Sequence, residues 1–183
     1  MKIDFNASAH EYYYHEDVQY YQGTFKTETI EQLLGSKPKV IMEFGSFDGG
    51  DGLRYKLAYP EADVYSLEAS PNLFKRVQRV EKYGVKCIHS AIFNYDGTIK
   101  FNLTPHKQFK DEVGGGSILQ PTEQTKERMK EIIEYEGDLE VEVPCITIES
   151  FCKQQNITNI DFMHIDVEGV AKQVIEGFGN IRP

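Results

Sequence analysis

Cysteine and basic charge are both scarce in this sequence, and long apolar runs are absent. The cysteines number three, Cys87, Cys145 and Cys152. They are widely spaced and match no metal-binding or redox pattern, and Cys87, inside an apolar run, reads as core. Lys and Arg total 20 against 29 Asp and Glu, for a formal net charge of −9. That balance excludes the broad basic surface of a nucleic-acid binder. No stretch reaches the roughly 18 apolar residues of a membrane span. The opening MKIDFNASAH lacks the apolar core of a signal peptide. The expectation is a cytoplasmic protein with neither membrane nor nucleic acid among its partners. Internal repeats and long low-complexity segments are missing too.

What remains is the composition of an ordinary globular domain, 40% hydrophobic and 27% charged over 183 residues. Residues 1–38 are a tyrosine-rich lead, HEYYYHEDVQYYQGTF, without clean periodicity, and then a helix from Lys26 to Leu34 stopped by Gly35 and Pro38. Over 39–183, short apolar runs alternate with helical patterns. KVIMEF, DVYSLE, VKCIHS and IDFMHI have strand length. Asp51 is the expected cap of a helix carrying Leu53, Leu57 and Ala58. Ser70 and Pro71 are a cap and first-turn pair ahead of Phe74, Val77 and Val80, and Gly84 closes that helix. TIKFNL follows a YDG turn as a strand of a hairpin-like excursion, and LEVEVP alternates like a half-buried strand. TEQTKERMKEIIEYE reads as a helix with Met129, Ile132 and Ile133 as its stripe. Ile148 to Gln155 reads as a short helix, and VEGVAKQVIEGF as a helix with Val170, Val174, Ile175 and Phe178 on one side. The alternation predicts an α/β fold, doubly wound on a mainly parallel Rossmann-like sheet.

Sheets of this kind bind ligands beyond the carboxyl ends of their strands. Those ends fall at Glu43–Gly52, Glu68–Ser70, His89–Ile92 and Asp166–Gly169. The first is EFGSFDGGDG. Gly45 and Gly49 let the backbone turn tightly and approach a ligand. Glu43, Asp48 and Asp51 surround the turn with acid, which suits hydroxyls or positive charge rather than a bare phosphate. Glu68 ends the next strand, where an acid accepts hydrogen bonds from ribose hydroxyls. The order of glycines fails the dinucleotide fingerprint G-x-G-x-x-G. A nucleoside with a cationic tail fits better, and S-adenosylmethionine carries a sulfonium and an ammonium.

The segments IMEFGSFDGG, VYSLEASPNLFKRV, SAIFNYDGTIKF, GGGSIL, VEVPCITIESF and IDFMHIDVEGVAKQVIEGF stand in the order found in FkbM-type S-adenosylmethionine-dependent methyltransferases, and the chain resembles that family from Val40 to about Phe178. The resemblance implies O-methyl transfer to a hydroxyl of a sugar, glycan or similar metabolite. It implies that Glu43, Gly45, Ser46, Asp48 and Gly49 hold the methionine end, Glu68 and Ala69 the ribose, that Ser90 and Ala91 border the adenine, and that Asp166 also belongs to the cofactor site. His164 stands where relatives commonly carry lysine. The sheet of such enzymes has further strands after the one that ends in Asp166. With those last strands lacking, IDFMHI is expected to be a sheet edge, covered by self-association or by a partner.

Methyl transfer to a hydroxyl needs alignment and a proton acceptor. Asp166, at a strand end, is a candidate for the latter or a helix cap. Glu168 is a candidate or a first-turn residue facing the helix dipole. His164 alternates with Asp166 along the strand, so it shares that face or is a core histidine. His89 is a further candidate, and His10, His15 and His106 lie in the lead or loops. Asp166 and Glu168 with a histidine can hold a divalent metal, although no spacing demands one. EYYYHEDVQYY can line a sugar site or pack as an ordered lead, and GGGS, Gly114 to Ser117, reads as a lid or a plain connection. Two other functions compete: a nicotinamide- or nucleotide-sugar-dependent oxidoreductase on a related sheet, and a non-catalytic, shortened cofactor-binding module.

Overall fold

The computed structural model describes residues 11–15, 18–22, 27–108, 112–137 and 139–181, the first two segments as backbone only. Strands β1 (Glu11–His15) and β2 (Val18–Gln22) pair antiparallel as a hairpin. Sugar-lining roles for the tyrosines of this lead, and His10 and His15 as bases, lie outside the described side chains. Helix α1 (Thr27–Leu34) follows and buries Ile30, and Gly35 in a left-handed conformation stops it.

The central sheet has four parallel strands in the order β5 (Lys86–His89), β4 (Asp63–Glu68), β3 (Val40–Phe44), β9 (Phe162–Ile165). In β3 and β4 almost every residue is buried, as expected of strands covered on both faces. Alternation divides their side chains. Ile41 and Val64 join a core with Ile30, Leu53, Tyr55 and Val80, beneath α1, α2 (Gly50–Ala58) and the 3-10 turn Gln78–Tyr83. Met42, Phe44, Tyr65 and Leu67 join the opposite core with Phe151, Cys152 and Val174, beneath α5 (Ile148–Gln155) and α6 (Ala171–Glu176). The α/β, doubly wound fold is thus as the sequence predicts, and β9 is the edge of this sheet among the described residues.

Beyond β5 the chain kinks at Ser90, whose N–H still donates to the Glu68 carbonyl at 3.1 Å. Strand β6 (Ala91–Ile92) then leaves β4 and pairs parallel with β8 (Glu140–Ile146), which pairs antiparallel with β7 (Gly97–Asn102). The expected hairpin-like excursion is therefore a three-stranded sheet with β8 in the middle.

Several local expectations need correction. Asp51 does not cap α2: Gly49, left-handed at φ 81°, is its N-cap, and Asp51 sits in the first turn. Ser70 does cap α3 (Pro71–Val77), accepting from the N–H groups of Asn72 and Leu73. Helix α4 is shorter than its pattern, Glu123–Met129, because Ile133 leaves the helix to bridge His106 and be buried. Leu57 and Ile175, placed on apolar faces by periodicity, are exposed.

Candidate active site

Side-chain alternation puts Glu43 on the same face as Ile41, under α2. It is 2% exposed, and Ser66 of β4 donates to its Oε2 at 2.6 Å. Gly52 makes this packing feasible, since a Cβ there would stand 2.1 Å from Ser66 Oγ and 3.0 Å from Glu43 Oε2. Burial, reinforced by the nearby charge of Asp51, pushes the Glu43 carboxyl well above its ordinary range. Asp51 is held by Arg54, whose Nη2 is 2.5 Å and Nε 3.1 Å from Oδ1. Its other oxygen, Oδ2, lies 4.0 Å from His164 Nδ1. Ligand atoms of Glu43, Asp51 and His164 thus gather within 4.8 Å of one another. This is a correction to the expected grouping: His164 meets Glu43 and Asp51, with the Arg54 guanidinium alongside, rather than Asp166 and Glu168. Nor is His164 a core histidine, because it faces a cavity.

That cavity, about 290 Å³, opens past the carboxyl ends of β3, β4, β6 and β9. It lies where strand order reverses between β3 and β9, the place such sheets use for ligands. Glu43, Gly45, Ser46, Asp48, Glu68, Ala69, Ser90, Ala91, His164, Asp166 and Glu168 all line it. Gly49 does not: it serves the backbone at the α2 cap, packed on Val77 and Val80. Gly45 serves the chain as well as the cavity. At φ 83°, a Cβ on it would stand 1.8 Å from the Asp166 carbonyl oxygen. Its N–H and that of Ser46 donate to the Leu67 carbonyl, and Asp48 Oδ1 accepts from Gly50 N–H, so the acidic turn is fixed from within.

Glu68 is 5% exposed and accepts from the N–H groups of Ser70 at 2.8 Å and Phe47 at 2.9 Å. Burial still pushes its carboxyl up to about 7, against the pull of those donors. Asp166 is not a cap, since α6 begins five positions later behind Val170. Glu168 is not in the first turn either: it precedes the helix at φ 44°, followed by Gly169 at φ 95°. Partial burial, then the charge of Asp166, pushes the Glu168 carboxyl up. His89 lies outside the cavity, stacked on Phe74 with Nε2 3.0 Å from the Ala69 carbonyl.

The β7–β8 excursion supplies a wall that periodicity did not reveal: Phe101, Val113, Gly114, Gly116 and Ile118. Glu112 ties it to the rim, its Oε1 accepting from Ser70 Oγ at 2.7 Å and Asn72 Nδ2 at 2.9 Å. No sequence signal marks Glu112, because its segment carries no regular pattern. GGGS is more than a plain connection. Asn102 and Ser117 exchange backbone hydrogen bonds of 2.8 and 3.1 Å, so it lies against the end of β7.

The sequence model of the methyltransferase FkbM domain matches residues 37–182. The chain belongs to the FkbM methyltransferase family. A curated relative, "2-O-methyltransferase NoeI" of Sinorhizobium fredii (strain NBRC 101917 / NGR234), is 27% identical over 153 residues, 81% of this chain. The chain spans 60% of that relative's length. No solved structure gives a significant match. As an FkbM domain the chain places five of the six segments that carried the resemblance around one cavity, VEVPCITIESF being the exception. Among the described residues no helix is long and apolar enough to cross a membrane.

Proposed function

We propose that the protein transfers a methyl group from S-adenosylmethionine to a hydroxyl of a sugar, glycan or similar metabolite. The observation that carries this reading is the acid gathered in one cavity beyond the strand ends: the Glu43–Asp51 pair and, at the end of the neighbouring strand β4, Glu68. That donor set fits the cofactor. Glu43 and Asp51 would take the ammonium end through their carboxyl oxygens, and Glu68 the ribose hydroxyls. Ser90, Ala91 and the apolar Leu73 and Ile92 would border the base. When bound, the cofactor supplies an electrophilic methyl on a sulfonium.

The chain's own residues do the rest. Asp166 and Glu168 line the cavity just past the end of β9, while His164, within that strand, faces Glu43 and Asp51. Glu168 is the proton acceptor in this reading, because a raised carboxyl is a better base than an ordinary one. Asp166 acts beside it by charge. The cavity walls align the acceptor, which accounts for a large part of such a rate. The relative's name, a 2-O-methyltransferase, supports oxygen as the methylated atom.

Calorimetric titration with S-adenosylhomocysteine tests the reading. One-site binding that Asp51→Asn weakens is expected. Absence of binding at millimolar ligand, with the protein folded by circular dichroism, overturns it.

A further inference from the structure

A second cavity, about 720 Å³, lies on the other side of the excursion wall. The wall is one backbone thick. Along it Gly114, Gly116 and Ile118 face the first cavity, while Gly115, Ser117 and Leu119 face the second. Glycine keeps it thin: a Cβ on Gly116 would stand 2.6 Å from the Phe101 ring, and one on Gly114 2.7 Å from the Phe47 ring. Glu168 lines both cavities. At that residue the wall is tied down, Ser117 Oγ donating to the Glu168 carbonyl at 2.7 Å.

We propose that this second cavity, between α4 and the β7–β8 strands, seats an uncharged glycosyl ring of the acceptor, with Tyr135 as its stacking platform and Glu168, which lines both cavities, on the side of the first. The inference rests on the methyltransferase reading and adds where the acceptor sits and what class it is. Its size is that of a ligand site. Its polar lining is mostly hydroxyl and amide: Asn102, Thr104, Ser117 and Thr125. Thr104 is 8% exposed, and its buried Oγ1 makes no hydrogen bond among the described residues. Half-buried Tyr135 offers an aromatic face. The charges lining the cavity cancel, Lys126 and Arg128 against Glu140 and Glu168, and Lys126 and Glu140 are already paired with Glu123 and Lys100. A neutral, hydroxyl-rich ring matches that balance.

Saturation-transfer NMR with the methyl glycosides of glucose, galactose and fucose, and with glucuronate and glucose 6-phosphate as charged probes, tests this. Each is recorded with and without S-adenosylhomocysteine. A neutral glycoside should bind the wild type. Tyr135→Ala and, separately, Thr125→Trp should reduce that binding at least five-fold, with S-adenosylhomocysteine affinity within two-fold of wild type. Binding that survives both substitutions, or no binding by any neutral glycoside, overturns the placement. Preference for a charged probe overturns the class. Failure of S-adenosylhomocysteine to bind sinks the methyltransferase reading instead, and the glycoside spectra recorded without it still decide the cavity.

Discussion

Ser117 Oγ donates a 2.7 Å hydrogen bond to the carbonyl oxygen of Glu168, across 51 positions of sequence. It joins the tip of the glycine segment to the least comfortable backbone of the site. Glu168 and Gly169 are both left-handed, at φ 44° and 95°. A non-glycine residue there is strained, and such strain persists only where surroundings hold it. Ser117→Ala should therefore lower turnover several-fold while leaving S-adenosylhomocysteine affinity unchanged, at a stability loss of about 1 kcal/mol. Ser117→Thr keeps the hydroxyl and should restore most of the rate. Equal turnover for Ala and wild type shows that the bond does not position Glu168.

Gly45 gives a harsher test. A Cβ on it would stand 1.8 Å from the Asp166 carbonyl, a backbone atom that cannot step aside cheaply, and φ is 83°. Asp166 N–H donates to the Phe44 carbonyl, so β9 and the turn move together or not at all. Gly45→Ala should cost about 3 kcal/mol or more, measured by denaturant unfolding. Gly35→Ala is the control: φ is 71° but nothing lies within 4 Å, so it should cost only about 1 kcal/mol. Equal losses at the two positions mean that the Asp166 contact contributes nothing.

Much of this was legible in the sequence, for physical reasons that also mark where legibility stopped. KVIMEF and DVYSLE read as strands because both faces are buried and apolar character runs along them. Glu43 and Glu68 stood out because acids interrupt that character at strand ends. The Gly49 cap is hidden from the sequence, because Asp51 is the better side-chain cap by type but is drawn instead to Arg54. The wall of the cavity was invisible. Residues 112–118 are placed by the Asn102–Ser117 pairing and by Glu112 on Ser70 and Asn72, and tertiary bonds of that kind leave no periodicity. The meeting of His164 with Asp51 depends on β9 pairing with β3 across some 120 residues, which local pattern does not encode.

The cysteines should be silent. Burial pushes the Cys87 thiol up to about 12 and the Cys152 thiol up to about 11, and Cys145 up as well, so little thiolate exists at neutral pH. No cysteine lines either cavity. Iodoacetamide should modify the folded protein slowly and leave S-adenosylhomocysteine binding intact. Rapid loss of binding, with the fold retained, contradicts this.

Glu68 connects stability, pH and the cofactor. Its carboxyl is held at about 7 in the fold against 4.5 when exposed, chiefly by burial. The folded state therefore binds the proton more tightly than the unfolded one. Stability from this group is fully present below about pH 4.5 and is lost as pH rises through about 7, by on the order of 3 kcal/mol in all. Glu68→Gln should flatten that part of the stability profile. Ligand binding carries the opposite sign. Ribose hydroxyls donating to Glu68 favour the ionised carboxylate, so affinity for S-adenosylhomocysteine should rise with pH up to about 7 and then level. Glu68→Gln should bind about ten-fold more weakly at pH 8, and its affinity should not respond to pH in this window. Glu68→Ala leaves the N–H groups of Phe47 and Ser70 without their acceptor, so it should lose stability as well as affinity. Measuring unfolding and binding on the same samples separates the two roles. If Glu68→Gln changes the stability profile but binds like wild type at pH 8, Glu68 only anchors the turns of Phe47 and Ser70, and the ribose is held elsewhere.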